Sequence, residues 1–276
     1  MKVAATKNII YIAFIYLMFS NHVVLSQSTT DKKFKTIRTY NITSAKQGVA
    51  VDKNYFYTIN NTGIEKYNKS SGEFIGKWED IDKKLKHFNS GVVIGNKLYC
   101  SHSNYPDLPM VSSIEIFDTR SLQHIRSHSF GIKYGSCTWF DYYDNYFWAC
   151  FANYDRYKDE IHKDHKWTVL VKFDKEFKEI SSWCFPAEVL SIFKPMSCSG
   201  GSWGSDGFLY VTGHDSTEVY KLQIPQMSSV LDFIDVIKIE SEGQGIAWDR
   251  FEKNTLFSIR RKTNQVLISI LDVANF

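Results

Sequence analysis

Along this chain of 276 residues, small or polar residues give way five times to a short apolar tract, then a turn, then a second tract that ends polar. The five stretches open at Gln47-Gly48-Val49-Ala50-Val51, Ser90-Gly91-Val92-Val93-Ile94, Gly135-Ser136-Cys137-Thr138-Trp139, Gly200-Gly201-Ser202-Trp203 and Gln244-Gly245-Ile246-Ala247-Trp248. Counted from Gln47, Ser90, Gly135, Gly200 and Gln244, successive openings lie 43, 45, 65 and 44 residues apart. A period near 44 residues carrying strands and almost no helix is that of a four-stranded propeller blade, a unit that buries its faces only by stacking on its neighbours. The pattern predicts an all-β fold, a five-bladed β-propeller of four-stranded blades with an enlarged third blade.

The second tracts, at 54–60, 97–101, 146–151, 208–212 and 255–259, are rich in aromatic and β-branched residues. Each follows a turn containing Asp, Asn or Gly, as in Gly95-Asn96, Asp144-Asn145 and Asp206-Gly207, which is a hairpin signal. Third strands follow in every unit, at 63–67, 113–117, 168–173, 218–222 and 265–270, and fourth strands in four units, at 72–78, 122–128, 178–184 and 235–239. The last unit has only three strands, while a strand-like tract at 34–42 precedes the first. Pairing the two would close the ring with a strand from the N-terminus and remove an open sheet edge. Short helices fit at 44–46, 81–86 and 187–192, the last bounded by Pro186 and Pro195.

Residues 1–26 stand outside the repeat. Lys2 and Lys7 precede an apolar run from Ile9 to Phe19, and Ser26 follows Val24 at the spacing of a signal-peptidase site, so this segment reads as a secretory signal. Its apolar run is shorter than the roughly 20 residues of a bilayer span, so no stable membrane insertion is expected after cleavage. Residues 27–276 form one propeller domain, extracellular by this reading. Removing Lys2 and Lys7 takes the 33 basic and 30 acidic residues to 31 against 30, too even a balance to argue for nucleic acid as a partner.

In a propeller the start of each inner strand and the end of the next, antiparallel strand share one face near the axis. Those places here hold Gln47 with Asn61, Ser90 with His102 and Asn104, Ser136 with Asn153 and Asp155, Ser199 with His214 and Asp215, and Gln244 with Arg260 and Arg261. The same residue types also serve turns and hydrated channels. Histidine and arginine are not favoured by turn geometry, which tips the reading toward a binding mouth. His102 and His214, with Asp155, form a candidate acid/base couple, because imidazole titrates near neutrality and a carboxylate can orient it. The same groups can ligate a metal, and Arg260 or Arg261 can hold a carboxylate. No motif fixes a cofactor or a metal.

The long tract 155–166 in the third unit carries Asp159, His162 and His165. It reads as a solvated excursion of mixed charge rather than a metal site, placed where it can act as a lid. Ser199 to Gly204 is glycine-rich but lacks the Lys-Ser/Thr ending of a phosphate loop, so its glycines are assigned to close strand approach. Of the five cysteines, Cys184 and Cys198 are the expected disulfide pair, with Cys100 buried and free. Three glycosylation sequons begin at Asn41, Asn60 and Asn68.

The Gln-Gly openings and the Lys66 to Glu73 tract resemble small secreted propellers of the YncE-type, quinoprotein-like and plant-type glutaminyl cyclase groups. The resemblance covers residues 34–276 and implies architecture rather than activity. Three functions stay open. The favoured one is a secreted module binding a small polar molecule, such as a saccharide, at the axial mouth, with Tyr105, Tyr154 and Trp203 as stacking surfaces. The second is a lyase, hydrolase or cyclase using the histidine pair, and the third a protein-binding rim around an inert channel.

Overall fold

The computed structural model describes residues 32–155 and 163–272, and the expected signal segment lies outside them. β1 (Lys33–Asn41) comes first. β2 (Gly48–Val51), β3 (Tyr55–Asn60), β4 (Gly63–Asn68) and β5 (Phe74–Glu79) form an antiparallel sheet in chain order. A second sheet contains β6 (His87–Ile94), β7 (Lys97–Ser103), β8 (Ser112–Asp118) and β9 (His124–Gly131), and a third β10 (Ser136–Tyr143), β11 (Tyr146–Ala152), β12 (Val169–Phe173) and β13 (Glu179–Cys184).

After the helix α1 (Ala187–Phe193) come β14 (Gly200–Trp203), β15 (Leu209–Thr212), β16 (Glu218–Gln223), β17 (Asp232–Lys238), β18 (Ile246–Trp248), β19 (Thr255–Arg260) and β20 (Gln265–Asp272). With β1 they make an eight-stranded sheet of order β14-β15-β16-β17-β1-β20-β19-β18. Within it β1 pairs antiparallel with β20 from Lys33↔Asp272 to Asn41↔Gln265. It meets β17 only at Lys33↔Lys238. The chain is an all-β propeller. Its inner strands follow one another in a circuit, β2 beside β6, β6 beside β10, β10 beside β14, β14 beside β18, and β18 beside β2.

Hairpin turns fall where Asn, Asp and Gly predict them. Asp144 and Asn145 both take positive φ, 51° and 64°, as a tight primed turn between β10 and β11 requires. Apolar side chains of the inner strands pack against those of the neighbouring sheet, so the core is divided among the gaps between sheets. Ala50, Tyr57 and Ile59 meet Phe88, Leu98 and Phe117 in one such gap. Trp139, Trp148 and Leu170 meet Trp203, Val211 and Tyr220 in another. Each buried side chain of this size contributes about 1.5–3 kcal/mol relative to leaving it exposed.

A polar device recurs in three of the gaps. Lys66, Lys172 and Lys221 each lie opposite an aromatic residue of the second strand, at Tyr57, Trp148 and Tyr210. Each also places its ammonium 3.6–3.9 Å from the centroid of a second ring, Tyr55, Tyr146 or Phe208. The cation thus rests on ring faces while its stem covers apolar surface.

Several expectations need correction. Of the three short helices only that at Ala187–Phe193 forms; residues 44–46 and 81–86 are turns and irregular chain. No disulfide is present among the described residues, and all five cysteines are free. Cys184 ends the outer strand β13 and is exposed. Cys198 is buried, and its sulfur accepts the indole N–H of Trp139 on the inner strand β10 at 3.2 Å. Cys198 packs with Trp139 of β10 and Cys150 of β11, and at least two strand spacings, about 10 Å, separate those strands from β13, beyond disulfide reach.

Candidate functional site

On the face where inner strands begin, a cavity of about 520 Å³ opens at the axis. It gathers six residues picked out by the strand-start rule: Gln47, Asn61, Ser199, His214, Gln244 and Arg261. Tyr105 and Tyr154, expected as stacking surfaces, also line it. Trp203 does not, being 2 % exposed within the core.

The polar groups form two couples. Gln47 Nε2 donates to Asn61 Oδ1 at 2.7 Å, fixing both amides at the end of the β2–β3 hairpin. Opposite, Arg261 Nη1 lies 3.4 Å from His214 Nε2, and the nearest carboxylate to this guanidinium is Asp215, at 4.0 Å. His214 Nδ1 is 2.8 Å from Asp215 Oδ1 but outside hydrogen-bond geometry, which leaves that buried nitrogen without a bonded partner. Gln244 closes the wall with φ of 101°, a conformation costly for a residue with a Cβ, and its carbonyl is held by Thr212 Oγ1 at 2.7 Å. A residue kept in that state by its surroundings marks a position whose side chain must point one way.

Sequence reasoning missed Lys86 and His87. β6 starts at His87 rather than near Ser90, and a bulge between Phe88 and Gly91 absorbs the difference. The alternation His87, Asn89, Gly91 was the available signal. Lys86 Nζ is neutralised by the Asp107 carboxylate. His87 packs against Tyr105 with ring centroids 5.0 Å apart, and Tyr105 meets Tyr154 edge-on at 5.4 Å. Burial, reinforced by the nearby His102, lowers the His87 pKa to about 4, so its imidazole is neutral at pH 7.

The other expected site residues lie elsewhere. His102 is outside the cavity: its Nε2 accepts the Lys86 backbone N–H at 3.1 Å and its Nδ1 contacts Ser113 Oγ at 2.9 Å. Ser113 in turn donates to the buried Glu115, which also binds His124. The backbone donor at Nε2 places the ring proton on Nδ1, so His102 heads a chain running into its own sheet. His102→Ala is therefore expected to cost about 1–3 kcal/mol in urea unfolding, because it leaves the chain unsatisfied, while ligand affinity at the mouth stays within about twofold.

Ser90 is buried, its backbone N–H and C=O both engaged by Ser101 Oγ. Asn104 braces its loop through Val111 and Pro109. The Asn153 amide donates to the Tyr134 and Trp167 carbonyls. Arg260 clasps Glu240 and Gln265, and Asp215 sits exposed on the rim.

Asp155 is likewise outside the cavity. Its carboxylate takes both the backbone N–H and the ring Nδ1 of His165, at 3.1 and 2.5 Å. Burial alone would raise its pKa, but these bonds and the charges of His165 and Lys194 outweigh that and hold it low. His165 is 3 % exposed in a short 3-10 turn, His165–Trp167, which corrects the reading of this end of the excursion as solvated. Asp159 and His162 fall outside the described residues. Ligand atoms of Asp155, Asp164 and His165 lie within 4.8 Å of one another, a set able to hold a cation, although His165 already spends Nδ1 on Asp155.

No known family profile matches the chain. No curated protein matches it in sequence either. Solved structures do match in fold. One is the pyrroloquinoline-quinone-bound aldose sugar dehydrogenase of Streptomyces coelicolor, at 9% identity and a TM-score of 0.52, with 87% of this chain and 98% of that one covered. Another is a luciferin-regenerating enzyme, at 10% identity and a TM-score of 0.50, with 88% and 96% covered. At such identity the likeness speaks for a β-propeller fold and for nothing about chemistry.

Proposed function

We propose that the chain is a secreted five-bladed propeller that binds a small hydroxyl- and carboxylate-bearing molecule, of the acidic-saccharide class, at the axial cavity. The five-blade reading counts the eight-stranded sheet as two blades, with β1 completing one of them as the ring-closing strand, and is supported by the pairing of β1 with β20. Secretion rests on the residue pattern of the first 26 positions.

The observation that carries the binding reading is Arg261. It lines the cavity with the Asp215 carboxylate 4.0 Å away, together with the bonded Gln47 and Asn61 amides of another sheet and two tyrosine rings. Lys86 is balanced by Asp107 and His87 is neutral, and Arg261, approached only at 4.0 Å by the exposed Asp215, keeps its guanidinium available to one ligand carboxylate in bidentate contact. Amides and tyrosine faces suit hydroxyls and a sugar ring. The histidine-pair enzyme is the less favoured reading, because His102 is not among the residues lining the cavity with His214 and its ring is bonded to the Lys86 backbone and to Ser113.

Expression of the full chain in insect cells tests secretion through recovery from the medium. D-Glucuronate is expected to raise the melting temperature more than D-glucose, with Arg261→Ala weakening glucuronate binding about tenfold or more. A flat response to both sugars, or an unchanged response in Arg261→Ala, removes the reading.

A further inference from the structure

At the other end of the channel, where inner strands finish, a larger cavity of about 700 Å³ is present. Asp141 of β10 accepts from Ser202 Oγ, from the Trp203 backbone N–H and from the Arg250 guanidinium, and the space left beside this cluster is about 10 Å³. The two cavities share no lining residue.

We propose that this second cavity is a binding site for an uncharged, planar aromatic molecule. Its walls are Val92 and Val93 at the end of β6, Tyr142 at the end of β10, Trp248 at the end of β18, and Phe251. Phe251 is 61% exposed. Its exposure is imposed by the turn, since Asp249 Oδ1 accepts the backbone N–H groups of Phe251 and Glu252 at 2.8 and 3.1 Å. A rigid turn therefore presents a ring to the cavity mouth rather than folding it into the core.

The charges around the cavity are already engaged or cancel. Arg250 is bound to Asp141, and Asp249 is held by Lys69 at 2.8 Å, with both of those partners buried. The two remaining charged lining residues, Asp144 and Lys253, have opposite signs. A charged ligand would gain no net field here, whereas a flat apolar one gains ring stacking and area burial. The volume falls within the range of small-molecule sites, and six of the thirteen lining residues, Val92, Val93, Tyr142, Tyr143, Trp248 and Phe251, are apolar or aromatic, beside polar groups that can orient a ligand.

The test is calorimetric titration of the full chain with 2-naphthol, an uncharged planar probe. Saturable binding is expected, weakened about tenfold or more by Phe251→Ala and by Tyr142→Ala. Arg261→Ala, at the opposite mouth, is expected to leave it unchanged. Phe251→Ala removes an exposed side chain and so keeps the fold, which protects the experiment if Tyr142→Ala is unstable. No saturable heat up to the solubility of the probe, full binding in Phe251→Ala, or equal loss in Arg261→Ala would each overturn the assignment.

Discussion

Asp141→Ala is expected to lower the free energy of unfolding by about 3–5 kcal/mol, read as a shift of the urea midpoint. The Asp141 side chain is 2% exposed and ties together three stretches of the propeller that are far apart in the chain. One oxygen takes the Trp203 N–H at 2.7 Å and the Ser202 hydroxyl at 3.0 Å, and the guanidinium of Arg250 donates to both oxygens at 2.8 and 3.0 Å. Truncation leaves the Trp203 N–H and the Arg250 Nη2 without their acceptor, while Nη1 keeps the Trp203 carbonyl, and the desolvation of the groups left open is then uncompensated. Arg250→Ala should cost less, because Asp141 keeps Ser202 and Trp203 and the arginine side chain is already 33% exposed. Asp141→Ala combined with Arg250→Met should recover part of the loss, as apolar replacements of buried ion pairs do. A change below about 1 kcal/mol in Asp141→Ala would mean that the cluster is hydrated and does not brace the channel.

How much of this could be read from the residues depends on the range of the interaction. Hairpins declare themselves locally, through pairs such as Asp144-Asn145, and the predicted strands agree with the observed ones to within a few residues. The rule that joins inner-strand starts to second-strand ends depends only on antiparallel pairing, and it delivered Gln47, Asn61, Ser199, His214, Gln244 and Arg261 to one cavity. The rule says nothing of where a side chain points along a strand with a bulge, and it misjudged His102, whose ring is captured by Ser113 two strands from the axis. It also overlooked His87, which lies before the small-residue opening used to align the repeat. Asp141 was out of reach for another reason. Its partners, Ser202, Trp203 and Arg250, are 61 to 109 residues away, and nothing in Trp139-Phe140-Asp141-Tyr142-Tyr143 marks a buried ion pair. Cys184 and Cys198 show the opposite failure, since closeness along the chain suggested a bridge that the strand spacings of the sheet forbid.

The glycines opening the repeat supply the second large effect. A Cβ added to Gly200 would stand 2.2 Å from the Gln244 carbonyl oxygen and 2.7 Å from Thr212 Oγ1, and one added to Gly48 would stand 2.3 Å from the Asn89 carbonyl oxygen. In both cases the obstacle includes the backbone of the neighbouring inner strand or of the residues leading into it, so no flexible side chain can yield. Gly200→Ala is therefore expected to cost about 2–4 kcal/mol by overpacking, measured by thermal and urea unfolding. Gly95→Ala serves as the contrast. Its φ is +62° but nothing lies within 4 Å of the added atom, so only the local conformational penalty applies, about 1 kcal/mol. Gly200→Ala should also reach function, because the atom it displaces is the carbonyl that fixes Gln244 in its strained conformation at the cavity wall. In whatever fraction remains folded, glucuronate affinity should fall together with stability, whereas Gly95→Ala should leave affinity unchanged. A Gly200→Ala protein as stable as the parent would show that the inner strands can separate freely, and that the close approach of neighbouring sheets does not set the geometry of the mouth.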